Sequence, residues 1–251
     1  MHYFMGKTYL YRGGFYLTGL LILALGITLN TKTGMGVSPI ISVSYSISTI
    51  WGLNFGNMTL VLYAFFVVIE MVLHIIRNQK YTRREGAVLA HANKVNLKWV
   101  LFMDILQFPL SLVFTRFLNL FSDWLPDLKT AYGDSFAGSF TGRLLFLIAA
   151  IALTGIGAAM SLNMRVIPNP GDGIVQAIAD CIEKGVGFTK NCFDILNITI
   201  TLTVSLVFAG KLVGVGIGTV LAVIGVGRVI AVFNHFCMEK MDNLAGMEQA
   251  G

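Results

Sequence analysis

Two glycine- and proline-containing turns are the parts of the sequence best suited to bind a ligand. Residues 34–39 read Gly-Met-Gly-Val-Ser-Pro, and residues 168–173 read Pro-Asn-Pro-Gly-Asp-Gly. A short apolar segment follows each turn, so each turn should expose a helix N-terminus, whose free N–H groups and dipole attract anions. Glycine lets the backbone approach a ligand closely. The candidate solute-binding residues in these turns are Gly36, Ser38, Pro39, Asn169, Gly171 and Asp172.

The negative charge of Asp172 limits what the second turn can bind. Its carboxylate would itself occupy the positive end of the helix dipole, which argues against a simple anion there. Asp172 could instead cap the helix, or bind a cation or a proton. The solute therefore stays open, with a small anion as one candidate. Both turns are also compatible with a role as ordinary connections.

Ionisable residues within apolar runs are the second set of candidates, because charge is costly in lipid and usually faces a bundle interior. They are Glu70, His74, Asp104, Arg116, Asp194 and Arg228. Glu70, Asp104 and the nearby Gln107 are interpreted as a polar relay. Arg228 is expected to contact the solute or to pair with Asp104 or Glu70. Glu70 and His74, four residues apart, either share a helix face or reach back to the membrane surface.

Composition places these residues in a membrane. Apolar residue types make up 55% of the 251 residues and charged types only 12%, and the mean hydropathy is +0.74. Six segments offer the roughly 20 apolar residues that a membrane crossing needs. They are Gly13–Thr31, Gly56–Ile76, Trp99–Phe121, Leu144–Met164, Cys192–Gly210 and Leu212–Phe236. The sequence therefore predicts an all-α polytopic membrane protein in contact with a lipid bilayer.

Two further apolar segments, Ser38–Trp51 and Asp172–Glu183, are too short to cross. A helix of 12 to 14 residues spans only about 20 Å, so we expect two re-entrant helices, with short tilted crossings as the alternative. Ser38 and Pro39 suit the start of the first helix, and Asp172 suits the N-cap of the second. The alternating serines 42, 44, 46 and 48 of the first segment suit either a polar pathway or close helix packing.

The order of features indicates two related halves within one membrane domain, over residues 13–122 and 138–237. A shift of 133 residues places Leu29, Asn30 and Lys32 on Leu162, Asn163 and Arg165. Each half then has three crossings and one re-entrant helix. An odd number of crossings inverts the second half relative to the first, an arrangement that brings interrupted helices together near the membrane midplane.

Charge distribution predicts the orientation. The formal net charge of +5 resides mainly in short loops beside apolar runs, where it sets topology and does not indicate nucleic-acid binding. The loop from Arg77 to Lys98 holds six basic residues and one acid, Glu85, whereas Asp123, Asp127 and Asp134 lie in the next loop. Both termini are therefore expected in the cytoplasm.

Enzyme signatures are mostly missing from the sequence. There is no HExxH or P-loop pattern, and the serine turn Gly36-Val-Ser38-Pro39 lacks a suitable histidine base. The three cysteines, Cys181, Cys192 and Cys237, form no CxxC pair. We therefore predict no catalytic residues, no cofactor and no metal site.

Two motifs carry a resemblance to a known group. Gly34-Met-Gly-Val-Ser-Pro-Ile40 after an Ala-Leu-Gly-Ile run, and the glycine-rich run Gly216–Gly225, resemble the bacterial YczE/YyaS/YitT membrane proteins. The resemblance extends from Phe15 to Phe236 and implies a bacterial cytoplasmic-membrane protein of undefined activity. It supplies no catalytic residues.

The first functional hypothesis is a secondary transporter or solute-binding protein, with the solute between the two turns. The second is a non-catalytic membrane subunit or scaffold of a partner complex, and the third is an intramembrane enzyme. A homo-oligomer is compatible with each of them.

Overall fold

The computed structural model describes the backbone of residues 2–84 and 96–247 and the side chains of residues 8–80 and 96–247. Within these ranges the chain is helical and contains no strand, which confirms the predicted all-α class. The basic-loop residues Glu85 and Lys94 lie outside the described residues.

Ten α-helices occur along the described chain. They are α1 (His2–Lys32), α2 (Pro39–Trp51), α3 (Phe55–Arg84), α4 (Leu97–Trp124), α5 (Leu128–Ala131), α6 (Phe140–Asn163), α7 (Pro170–Ile182), α8 (Val186–Ala209), α9 (Ile217–Phe233) and α10 (Glu239–Leu244). In this part of the chain, six segments are long and apolar enough to cross a membrane: those of α1, α3, α4, α6 and α8, and the segment from α9 through α10. The predicted number of crossings is confirmed.

Some predicted boundaries are wrong. The crossing of α8 begins at Val186 and not at Cys192. The last crossing begins at Ile217 and not at Leu212, because Gly214 adopts a positive φ angle of 82° that a helix does not continue through. The N-cap of α7 is Asn169 and not Asp172. The Asn169 side chain accepts a hydrogen bond from the Gly171 N–H at 3.2 Å, and Pro170 occupies the first helical position, which suits its fixed φ.

Helices α1 and α6 form an antiparallel pair at the centre of the fold. A Cβ atom on Gly26 would lie 2.5 Å from the Thr154 nitrogen, and one on Gly19 would lie 2.7 Å from the Ser161 nitrogen. Backbones approach this closely only where side chains are absent or small. The glycines of α1 therefore set the distance between the two helices.

Near each end of this pair, an arginine of one helix binds the backbone that follows the C-terminus of the other helix. Arg12 of α1 donates to the carbonyls of Met164 and Arg165, both at 2.8 Å. Arg143 of α6 donates to the Thr33 carbonyl at 3.2 Å. The start of each glycine–proline turn is thus held by the helix of the other half.

Each short helix packs along a long helix of the other half. Helix α7 lies against α3, and α2 lies against α8. In the first pair Arg77 binds Asp180 at 2.7 Å. In the second pair the hydroxyls of Ser42 and Thr201 are 2.7 Å apart.

The serines of α2 serve helix packing in this structure. Ser42, Ser44 and Ser48 each donate to the carbonyl three residues earlier. The Ser44 hydroxyl also lies 3.1 Å from that of Thr59 on α3. All three side chains are buried, which favours the packing interpretation over a polar pathway.

The close approach of α1 and α6 generates a stability prediction. Replacing Gly26 with Leu should separate the helices and lower the thermal midpoint of the detergent-purified protein by roughly 5 °C or more. Gly14→Leu is the matched control on the same helix, because no atom lies within 4 Å of its Cβ position. Equal midpoints for the two variants, measured by a fluorescence melting assay, would contradict the proposed contact.

Candidate functional site

The N-termini of the two short helices meet inside the bundle. A Cβ atom on Gly171 of α7 would lie 2.7 Å from Cδ1 of Ile40 on α2. The next turn of α7 lies beside Glu70 of α3, whose carboxylate is 2.6 Å from the Cβ position of Gly173. Glu70 is near the middle of the apolar span Phe55–Lys80. The structure therefore brings the two sequence-predicted turns together deep in the fold.

Polar side chains surround the start of α7. Asn169 is buried at the N-cap, and Asp172 is half-buried in the first turn. Lys190 and Asp194 of α8 lie close enough to Asp172 for electrostatic interaction and pair with each other at 3.3 Å. A carboxylate, an amide and an ion pair therefore lie at one helix end.

A narrow gap adjoins this helix start. Its lining residues are Leu20, Tyr63, Leu110, Ser111, Phe114, Asn169 and Pro170. The gap is too tight to hold a solute as it stands, so the described conformation is closed at this point.

The start of α2 differs from that of α7. Ser38 occupies its N-cap but makes no side-chain capping hydrogen bond, and Pro39 is buried at the first helical position. Gly36 has a φ of 108°, and a Cβ there would lie 2.6 Å from both the Gly216 nitrogen and the Thr219 hydroxyl. The need for glycine at position 36 is thus explained by contact with α9.

The three residues of the predicted polar relay lie together between α3 and α4. Gln107 Nε2 donates to Glu70 Oε1 at 3.0 Å. Asp104 Oδ2 lies 2.9 Å from His74 Nδ1. One ligand atom from each of Glu70, His74 and Asp104 lies within 4.8 Å of the others. Glu70 is 3% exposed, so it faces the bundle interior and does not extend to the membrane surface.

Two buried oxygens of this cluster have no hydrogen-bond partner in the described structure. They are Glu70 Oε2 and Gln107 Oε1. A buried polar atom without a partner costs about 1–3 kcal/mol, and native structures rarely leave one without a reason. The cluster therefore has unused capacity to bind a cation or a proton.

Arg228 lies apart from both turns. It is exposed on α9, whereas neighbouring Gly225 and Val229 face α6. The structure pairs Asp104 with His74 and Glu70 with Gln107. Among the described residues no ion pair or hydrogen bond of Arg228 is found.

The fold brings further residues to the predicted site. His74 and Asp194 were among the ionisable candidates but were not assigned to the solute site or the relay. Lys190 was not a candidate, although its four-residue spacing from Asp194 was a usable signal. Tyr63 carried no signal, because a tyrosine in an apolar run resembles any core residue.

Comparison with known proteins places the chain among uncharacterised membrane proteins. It is 24% identical over 219 residues to the "Uncharacterized protein YyaS" of Bacillus subtilis (strain 168), covering 87% of this chain and 90% of the relative. It is 23% identical over 222 residues to the "Uncharacterized membrane protein YczE" of the same organism, covering 87% and 83%. No solved structure matches the chain.

A family model, described as "Family of unknown function (DUF6198)", matches residues 10–235. This match includes both glycine–proline turns and most or all of each membrane-crossing helix. Together with the two relatives, it confirms the resemblance drawn from the motifs at Gly34–Ile40 and Gly216–Gly225. The protein is therefore an integral membrane protein that belongs to the family DUF6198.

Proposed function

We propose that this protein is a secondary transporter of a small solute, which binds where the N-termini of α2 and α7 meet. The observation that carries the proposal is the contact of Ile40 with Gly171 beside the middle of α3. Interrupted helices at membrane depth leave backbone N–H groups without helical partners. Such backbone is tolerated only where protein or a wet cavity covers it. Transporters use such half-helix ends to bind solutes.

Reciprocal packing supports an inverted repeat. Contact of α7 with α3 is matched by contact of α2 with α8, and contact of α1 with α4 is matched by contact of α6 with α9. Helices α1 and α6 are the first helices of the two halves, so their contact with each other is its own counterpart when the halves are exchanged. The match is partial, since α3 packs extensively on α4 whereas α8 and α9 have no comparable contact. The matched contacts are those expected for halves related by an axis in the membrane plane.

The positions of the short helices support a re-entrant path. Helix α7 starts beside the middle of α3 and ends near the α3 C-terminus, where Lys80 binds Glu183 at 2.8 Å. Helix α2 ends near the start of α3 and the end of α8, where Trp51 packs on Phe208 with ring centroids 5.1 Å apart. Each 13-residue helix is about 20 Å long, which is too short for the roughly 30 Å of the hydrocarbon core.

Basic residues favour a cytoplasmic location for the end of α7. In the re-entrant arrangement Arg12, Arg77, Lys80 and Arg165 lie on one face, whereas Asp123, Asp127 and Asp134 lie on the other. The positive-inside rule assigns the first face to the cytoplasm. Both termini then lie in the cytoplasm, and the resemblance to bacterial proteins favours the inner membrane.

The two helix ends differ in charge, which narrows the class of solute. At α2 the N-terminus lacks a side-chain cap and presents the positive end of a helix dipole. At α7 the carboxylate of Asp172 lies in the first helical turn and already balances the positive end of the helix dipole. A solute with separate negative and positive groups satisfies both ends. We therefore propose a small zwitterion, such as an amino acid, in preference to a simple anion.

A subunit role in a partner complex is the second candidate, and the position of Arg228 favours it. An exposed arginine on a crossing helix is costly in lipid. A partner helix with an acidic side chain would remove that cost. Replacement of Arg228 would then disturb complex formation and leave solute binding intact.

Labelling of single cysteines tests the re-entrant paths. In a background without Cys181, Cys192 and Cys237, we expect Lys32→Cys and Leu53→Cys, which flank α2, to react with an impermeant maleimide from one side of the membrane. Arg165→Cys and Lys184→Cys, which flank α7, should react only from the opposite side. Reaction of either pair from two different sides would show a full crossing and reject the inverted repeat.

A ligand screen tests the solute class. Amino acids at about 100 times their dissociation constant should stabilise the purified protein by about 2.7 kcal/mol, seen as a raised melting temperature. Asp172→Asn should lose this response, because it removes the charge that faces the cationic group. Asp134→Asn, an exposed loop position, is the matched control and should respond like the wild type.

The outcome separates the candidate functions. A shift with simple anions that survives Asp172→Asn would reject the zwitterion. If no solute shifts the melting temperature and none enters proteoliposomes, the transporter proposal is wrong and the subunit role is favoured.

A further inference from the structure

We propose that Glu70, His74, Asp104 and Gln107 form a binding site for a divalent transition-metal ion. The first two residues stand one turn apart on α3, and the last two stand about one turn apart on α4. Metal binding by these residues does not depend on the solute bound at the helix ends, and it can be tested without a transport assay.

The spacing of the side chains fits a metal ion with little rearrangement. One ligand atom from each of Glu70, His74 and Asp104 lies within 4.8 Å of the others. Metal–ligand bonds of about 2.0–2.2 Å place ligand atoms about 3 to 4.4 Å apart. The observed 2.9 Å between His74 Nδ1 and Asp104 Oδ2 is close to this range. A small contraction around an ion would complete the site.

The unpartnered oxygens provide an independent sign of a missing ligand. Glu70 Oε2 and Gln107 Oε1 are buried and accept no hydrogen bond in the described structure. Gln107 is fully buried, and its amide already touches Glu70 through Nε2 at 3.0 Å. Its oxygen is thus held beside the cluster, where a cation would satisfy it.

Charge balance also favours a cation. Glu70 and Asp104 are each 3% exposed, and His74, 2.9 Å from Asp104, can offset at most one of their two charges. A buried carboxylate left without a counter-charge is strongly unfavourable. Arg77, one turn beyond His74 on α3, is already bound to Asp180 at 2.7 Å. A divalent ion would neutralise both carboxylates. Protons bound to the carboxylates would also remove the charge, and the metal titration described below distinguishes protons from a metal ion.

The donor types indicate which metals to expect. Two carboxylates, one imidazole and one amide oxygen suit Mn²⁺, Fe²⁺ and Zn²⁺, since imidazole binds transition metals and oxygen ligands accept harder ions. The absence of a thiolate from this set disfavours Cu⁺. The side chain of His74 is 14% exposed, so it is the least buried member of the cluster. This proposal departs from the sequence-based expectation of no metal site, because its four ligands lie on two helices and match no cysteine or HExxH pattern.

Calorimetric titration of the full-length protein tests the assignment. The protein is purified in detergent, freed of any affinity tag and treated with a chelator, then titrated with MnCl₂, ZnCl₂ and MgCl₂. We expect one Mn²⁺ or Zn²⁺ per chain, bound far more tightly than Mg²⁺. Binding should release a proton from the His74–Asp104 hydrogen bond, seen as a dependence of the heat on the buffer's ionisation enthalpy.

Variants identify the ligands. Glu70→Gln and Asp104→Asn should each weaken binding by at least ~100-fold, since loss of a mere supporting residue already costs about 10- to 100-fold. Asp123→Asn is the control, because it makes the same change at an exposed position of α4. Melting curves without metal establish that each variant is folded.

Two results would overturn the assignment. One is wild-type binding of Mn²⁺ and Zn²⁺ that is no tighter than binding of Mg²⁺. The other is binding that folded Glu70→Gln and Asp104→Asn retain, which would place the ion elsewhere. In either case the cluster balances its charge with protons, and the transporter proposal is unaffected.

Discussion

The contact between α1 and α6 is the constraint on which the rest of the structure depends. Glycines at positions 19 and 26 allow the two backbones to touch, and this contact aligns the points at which both glycine–proline turns begin. Arg12 and Arg143 then bind carbonyls at those points. Backbone carbonyls at a helix end are costly to bury without partners. By binding these carbonyls, the two arginines allow the chain to turn back into the fold after α1 and after α6.

The two short helices pack against corresponding helices but in different polar surroundings. The packing partners of α2 and α7 correspond, but the residues at these contacts do not. Helix α2 meets α8 through neutral hydroxyls, such as those of Ser42 and Thr201. Helix α7 meets α3 through Glu70 and two ion pairs. The contact of α7 with α3 is therefore more highly charged than the contact of α2 with α8.

Much of the architecture could be predicted from the sequence, because its cause is local. Apolar run length determines the crossings, and Pro39 with Gly52 marks the ends of α2. The α7 N-cap was misassigned because Asn169 and Asp172 are both good caps, and only the structure shows which one bonds to a backbone N–H. The start of α9 was misplaced because a glycine such as Gly214 is tolerated in membrane helices. Here Gly214 takes a positive φ angle instead.

The site was predictable only in part. Glu70, Asp104 and Gln107 attracted attention because charge and amide groups are rare in apolar runs. Their pairing depends on the register between α3 and α4, which a single sequence does not reveal. The functional interpretation of Gly36 has a simpler alternative, since contact with Gly216 and Thr219 already requires a glycine there. Arg228 was grouped with the turns on charge alone, whereas the structure exposes it on α9.

The cross-packing of the short helices has a consequence for biosynthesis. Ser42 and Thr201 are 159 residues apart in the chain, so α2 reaches its packing partner only after most of the protein has been made. At about 5–20 residues per second this interval is on the order of ten seconds. During that time the hydroxyl-bearing surface of α2 has no α8 to cover it. The native packing of α2 can therefore be completed only when the second half arrives.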